Sequence, residues 1–171
     1  MNEKFTVGIL VSNHFGVLNR VAGLYAKRGY NIDSLAVGET ENPKYSRMTI
    51  VSTGDEYMKM QVVRQLNKLH DVKMAVLLDK DSSVAVEQML IKLKVGASDS
   101  DKAQISGLIN DYGGKVMDFG DEFITAEIAG NADKMERFVD SARKFGILEL
   151  SRSGLISLAL GAQDVMIAPQ A

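Results

Sequence analysis

The chain has 171 residues, of which 46% are hydrophobic and 25% charged, and its formal net charge is −2 at pH 7. That composition suits a soluble globular protein of one ordinary or two small domains, and the interspersed acidic and basic residues leave no footprint for nucleic acid or an anionic membrane. There is no cysteine and no tryptophan, which removes disulfides, thiolate catalysis and the usual zinc sites and leaves a core of Val, Ile, Leu, Met and Ala.

Phe5–Val11 is short and rich in β-branched residues, as a buried strand should be. Ser12-Asn13-His14-Phe15-Gly16 interrupts it. From Val17 the apolar spacing turns helical (Val17, Val21, Leu24, Tyr25) and stops at Arg28-Gly29, the glycine serving as a C-cap. Ile32–Val37 reads as a strand, Glu41–Lys44 as a turn and Arg47–Ser52 as a third strand. Met58, Val62, Leu66 and Leu69 form a second helical stripe, and Val72–Leu78 a fourth strand. Asp79–Ser83 is polar and aperiodic, a linker. The order then returns. Val86–Val95 is a strand with Met89, Ile91, Leu93 and Val95 alternating against polar neighbours. Ile105, Leu108, Ile109 and Tyr112 mark a helix that Gly113-Gly114 ends. Lys115–Phe119 and Phe123–Ala129 are strands about Gly120-Asp121. Met135, Phe138, Val139 and Ala142 mark the last helix, ending at Gly146, and Ile147–Leu150 the last strand.

A β-α-β-β-α-β order met twice predicts an α+β protein: two ferredoxin-like domains in tandem, each a four-stranded antiparallel sheet with two helices on one face. The divisions fall at 1–79 and 84–160, with 161–171 as a tail. The other face of each sheet needs a cover, so the sheets are expected to pair, within or between chains. In the repeat, Gly29-Tyr30 is matched with Gly114-Lys115. The N-terminus shows no ordered basic, apolar and small-residue segments, and no apolar stretch nears the ~20 residues that span a bilayer, so a cytoplasmic location is expected.

Function must come from sites, since this fold hosts many. An RNA-recognition surface stacks bases on strand aromatics, and Arg47–Ser52 has none. Metal chaperones of this fold need paired cysteines. An acylphosphatase-like loop needs a basic residue after the first strand, and none occurs before Arg20. The loop Asn13–Gly16 is the informative element. Gly16 lets backbone approach a ligand closely, and the orphan N–H groups at the positive end of the following helix suit a carboxylate. Asn13 offers an amide to a ligand's ammonium or caps the helix. The same residues also make an ordinary strand-to-helix turn. His14 has no partner nearby in sequence and reads as an exposed loop histidine. Asp79 and Asp81 lack the further oxygens of a calcium loop. No catalytic constellation emerges.

Asn13-His14-Phe15-Gly16-Val17-Leu18-Asn19-Arg20 resembles the N-x-x-G-V-L-x-R loop that opens an ACT domain. Arg28–Leu35 and Ser46–Ile50 look like the R-G-Y-N-I-x-S-L and S-R-M-T-I segments of acetolactate synthase (acetohydroxyacid synthase) small subunits. Ser151-Arg152-Ser153-Gly154, with Leu158 beyond it, is similar to that family's C-terminal arginine-rich signature. The resemblance covers almost the whole chain. It implies an N-terminal ACT domain that binds an amino acid, and a C-terminal small-subunit domain. It also implies a non-catalytic regulatory role in branched-chain amino acid biosynthesis: a homodimer that binds the catalytic subunit, activates it and confers feedback inhibition by valine. The effector carboxylate would meet N–H groups near Gly16, Val17 and Leu18. Asn13, with His14 and Phe15, would line the loop side, and Asn31 and Ile32, the former from the neighbouring protomer, would complete the site. Thiamine diphosphate, Mg and FAD are expected on the catalytic subunit and none on this chain. Two rivals remain: a free-standing ACT-type amino-acid sensor acting on another partner, and an enzyme that uses His14.

Overall fold

A computed structural model describes residues 2–96 and 99–161. The elements are β1 (Glu3–Ser12), α1 (Val17–Lys27), β2 (Ser34–Glu39), β3 (Tyr45–Gly54), α2 (Glu56–Leu66), β4 (Val72–Leu78), β5 (Ser83–Lys94), α3 (Asp99–Asp111), β6 (Lys115–Phe119), β7 (Phe123–Gly130), α4 (Ala132–Ala142), a 3-10 turn at Arg143–Phe145, β8 (Ile147–Arg152) and β9 (Ile156–Ala159). The expected α+β architecture is present, with the β-α-β-β-α-β order met twice. The described residues divide into two compact units, 2–85 with 155–161, and 86–154.

The first unit has the antiparallel strand order β2-β3-β1-β4. Alternate residues of β1 (Phe5, Val7, Ile9, Val11) and of β3 (Met48, Ile50) meet Val17, Val21 and Tyr25 of α1 and Val62 and Leu66 of α2 in one core. This is the period-2 face of a sheet against the apolar stripes of two helices. The reverse face is closed too: Leu10, Thr49, Val51 and Leu78 are buried. The chain itself returns here, since β9 lies against β4. The Leu155 amide donates to Ser34 Oγ at 3.1 Å, and Arg47 Nη2 to the Ser157 carbonyl at 3.1 Å. This answers the expectation of a cover with a segment of the same chain. Residues 155–160, assigned to the second domain in the sequence reading, therefore cluster with the first unit.

The second unit has the order β6-β7-β5-β8. Met89, Ile91, Leu93 and Val95 pack with Ile105 and Ile109 of α3 and with Met135, Phe138, Val139 and Ala142 of α4. Its far face mixes polar residues with the exposed Leu90. Gln88 donates to Glu127 at 2.9 Å, Lys92 reaches Glu149 at 3.4 Å, and the Lys92 ammonium stands 5.8 Å from the centre of the Phe123 ring.

Three details depart from the sequence reading. The second strand begins at Ser34 rather than Ile32, where Asp33 turns aside to accept from Thr53 Oγ1 at 2.7 Å and Asn31 Nδ2 at 2.6 Å. The 79–83 linker is an ordered turn in which the Asp81 amide donates to Asp79 Oδ1 at 3.1 Å, and β5 already starts at Ser83. The repeat aligns Gly29 with Gly113, not Gly114. Gly29 donates to Ala26 and Tyr30 to Tyr25, just as Gly113 donates to Asn110 and Gly114 to Ile109. Both are the paired bonds of a Schellman stop. The predicted tail from 162 onward lies outside the described residues.

Candidate effector site at the N-terminus of α1

The loop between β1 and α1 gathers most of the predicted residues. Gly16 is the N-cap of α1 at φ 87°, ψ −9°, a left-handed conformation that glycine enters without strain. No side chain caps this helix, and its first turn carries no acidic residue. The contrast with two other helices is direct. Asp55 caps α2 by accepting from the Met58 amide at 2.8 Å, with Glu56 in the first turn. Asn131 caps α4 by accepting from the Lys134 amide at 2.9 Å, with Asp133 in the first turn. The positive end of α1 is thus left without the carboxylate that neutralises the other two. A Cβ built on Gly16 would meet nothing within 4 Å, so the space beside Gly16 is open, while the Val17 amide donates to the His14 carbonyl at 3.5 Å.

Asn13 does not cap the helix. Its Nδ2 donates to Glu39 Oε1 at 2.9 Å and to the Pro43 carbonyl at 3.0 Å, and its amide donates to the Lys44 carbonyl at 2.7 Å. These bonds tie the loop to the end of β2 and the β2–β3 turn. With both Nδ2 protons committed, what Asn13 has to offer an ammonium is its amide oxygen. Phe15 stands at the loop tip, 97% exposed, and Leu18 is exposed beside it, whereas Val17 is buried in the core. Asn31 is exposed and bonded to Asp33; Ile32 is half-buried against the core.

His14 has a partner after all, 57 residues away: Nε2 donates to Asp71 Oδ1 at 3.1 Å. Its Nδ1 faces the Phe15 carbonyl at 3.1 Å. Both neighbours are acceptors, so the ring makes both bonds only when it carries both protons. Arg20, one turn into α1, donates to Asp71 Oδ2. Burial alone would raise the Asp71 pKa, but the Arg20 guanidinium and then His14 outweigh it and hold the carboxyl below the usual aspartate range. Sequence reasoning passed over Asp71. The signal lay in the topology: the repeat places β4 antiparallel beside β1, so the residue before β4 lies beside the loop that follows β1.

The comparisons with known proteins agree over both halves of the chain. Residues 7–74 match a model of the acetohydroxyacid synthase small subunit-like ACT domain, and residues 86–161 a model of the small subunit of acetolactate synthase. A probable acetolactate synthase small subunit of Methanothermobacter thermautotrophicus is 37% identical over 164 residues, covering 95% of this chain and 96% of the relative. The acetolactate synthase isozyme 3 small subunit of Salmonella typhimurium is 37% identical, over 91% of this chain and 94% of the relative. The crystal structure of the small subunit from Thermotoga maritima superposes with a TM-score of 0.86 at 34% identity, covering 93% of this chain and 98% of that one. These names accord with a non-catalytic subunit rather than a free-standing enzyme. On its sequence and its fold alike, the chain belongs to the acetolactate synthase small subunit family.

Proposed function

We propose that this chain acts as the regulatory subunit of acetolactate synthase, raising the activity of the catalytic subunit and conferring inhibition by valine, with the valine α-carboxylate held on the first amides of α1. The observation that carries the reading is the N-terminus of α1: a left-handed glycine, no capping side chain and no first-turn acid, in a family whose model for this region is an ACT domain. Orphan N–H donors at a positive helix end are what a carboxylate requires. Asn13 Oδ1 would take the ammonium, and Asn31 of the partner subunit would complete the site in a homodimer. Phe15, Leu18 and Ile32 supply apolar surface for a branched side chain. Thiamine diphosphate, Mg and FAD would reside on the catalytic subunit, in the cytoplasm.

Valine controls the complex only if it binds one arrangement of it more tightly than another. The test is acetolactate formation by the catalytic subunit of the same organism, with and without this chain, and then with valine. A rise in rate that valine reverses supports the reading. An intact catalytic subunit whose rate this chain leaves unchanged favours an amino-acid sensor with another partner.

A further inference from the structure

We propose that Asp71 is the positioning residue of the effector loop, setting valine affinity by holding the loop on both flanks without touching the ligand. The proposal rests on the effector site lying at the N-terminus of α1. Three bonds converge on Asp71. Its backbone carbonyl accepts from the Ser12 amide at 2.8 Å, just before the loop. Its Oδ1 accepts from His14 Nε2 at 3.1 Å, within the loop. Its Oδ2 accepts from Arg20, just after it.

Asp71 is the buried member of this set. Its side chain is 5% exposed, against 50% for His14 and 58% for Arg20. The carboxylate is therefore fixed by its surroundings, while its partners are surface groups it can order. Charge-assisted bonds are roughly twice as strong as neutral ones, which suits them to this. Gly16 has no side chain to brace the turn and no cap holds the helix start, so the amides that meet the carboxylate depend on bonds made elsewhere. Asp71 lies between α2 and β4 and ties the loop to that side of the first unit, as Asn13 ties it to the end of β2 and the β2–β3 turn.

The test uses the full chain and measures valine dissociation constants by calorimetry, together with valine inhibition of the reconstituted enzyme. Asp71→Asn keeps the shape and one acceptor oxygen but loses the charge. It should weaken valine binding about tenfold and raise the half-inhibitory concentration to match, with inhibition at saturating valine as deep as in the wild type. Arg20→Gln, at an exposed site, should give a smaller loss in the same direction, and the double variant should be no weaker than Asp71→Asn alone. Asp71→Asn binding valine as the wild type does, while Gly16→Asp loses it, would overturn the positioning role. If Gly16→Asp also left binding unchanged, the effector site itself would be misplaced. Additive losses in the double variant would likewise overturn the proposal, because Arg20 would then act apart from Asp71.

Discussion

Arg47 on β3 donates from Nη2 to the carbonyl of Ser157, 110 residues later in the chain, at 3.1 Å. The guanidinium crosses the reverse face of the first sheet, and it can do so because Gly8 on neighbouring β1 has no side chain. A Cβ at Gly8 would stand 2.6 Å from Arg47 Nη2 and 3.0 Å from Leu78 Cδ1. Gly8→Ala should therefore push Arg47 off Ser157. The expected cost is about 1.5–3 kcal/mol, the range for a hydrogen bond to a charged group, measured by urea unfolding. In an Arg47→Met background the same substitution should cost clearly less, since the bond it breaks is already gone. Equal costs in both backgrounds would mean that Arg47 does not anchor the returning segment.

A second anchor stands where the second unit ends. Arg152 on β8 donates to Glu87 at 2.5 Å and to Glu136 of α4 at 2.7 Å. The hydrogen bond to Glu87 is the main cause of the raised Arg152 pKa, with burial opposing it and Glu136 adding to it. The two carboxylates are unequal: the Glu87 side chain is 8% exposed and that of Glu136 63%. Arg152→Ala leaves a buried carboxylate unpaired and should cost about 2–3 kcal/mol, somewhat below a wholly buried pair. Glu136→Ala removes a solvated partner and should cost under about 1 kcal/mol. Comparable losses from the two substitutions would contradict this ranking.

Acid should act on the loop through Asp71. Its pKa is lowered in the folded chain from the ordinary aspartate value of 3.8. In the unfolded chain the group protonates first, so its contribution is complete above 3.8 and is lost as the pH falls through the depressed folded value. Melting temperatures taken from pH 6 down to pH 2 should fall less steeply in Asp71→Asn than in the wild type over the acid end. Parallel curves would show that Asp71 titrates alike in both states.

Much of this was legible in the sequence because it is written locally. The Val-rich runs, the helical stripes and the glycine stops each specify their element within about a dozen residues. What escaped was written at long range. Ile156–Ala159 is too short a run to announce a strand, and its outward residues Ile156 and Leu158 are exposed while Ser157 points inward, the reverse of an amphipathic edge. Its place is set by Val84, whose carbonyl accepts from Ser157 Oγ at 2.9 Å, and by Arg47. Asp71 escaped for the same reason: nothing next to it in sequence needs a carboxylate, and its partners arrive only when β4 docks beside β1.

The paired glycines at the end of α3 separate two reasons for having no side chain. Gly113 has φ 61° and a Cβ there would meet nothing within 4 Å, so its requirement is conformational. Gly113→Ala should cost about 1 kcal/mol, the strain of a left-handed alanine, and Gly113→Asn less, since asparagine tolerates that region. Gly114 is the opposite case. A Cβ there would stand 2.2 Å from Ile128 Cδ1, 3.0 Å from Ile109 Cγ2 and 2.9 Å from the backbone carbonyl of Glu127. The isoleucine tips can rotate away, but the carbonyl belongs to β7 and moves only with the sheet. Gly114→Ala should therefore cost about 2–3 kcal/mol as overpacking, and Gly114→Asn should bring no relief. Urea midpoints of the four variants decide it: asparagine rescue at Gly113 and none at Gly114 is the expected pattern, and rescue at both would mean that the second position too is held by its backbone angle.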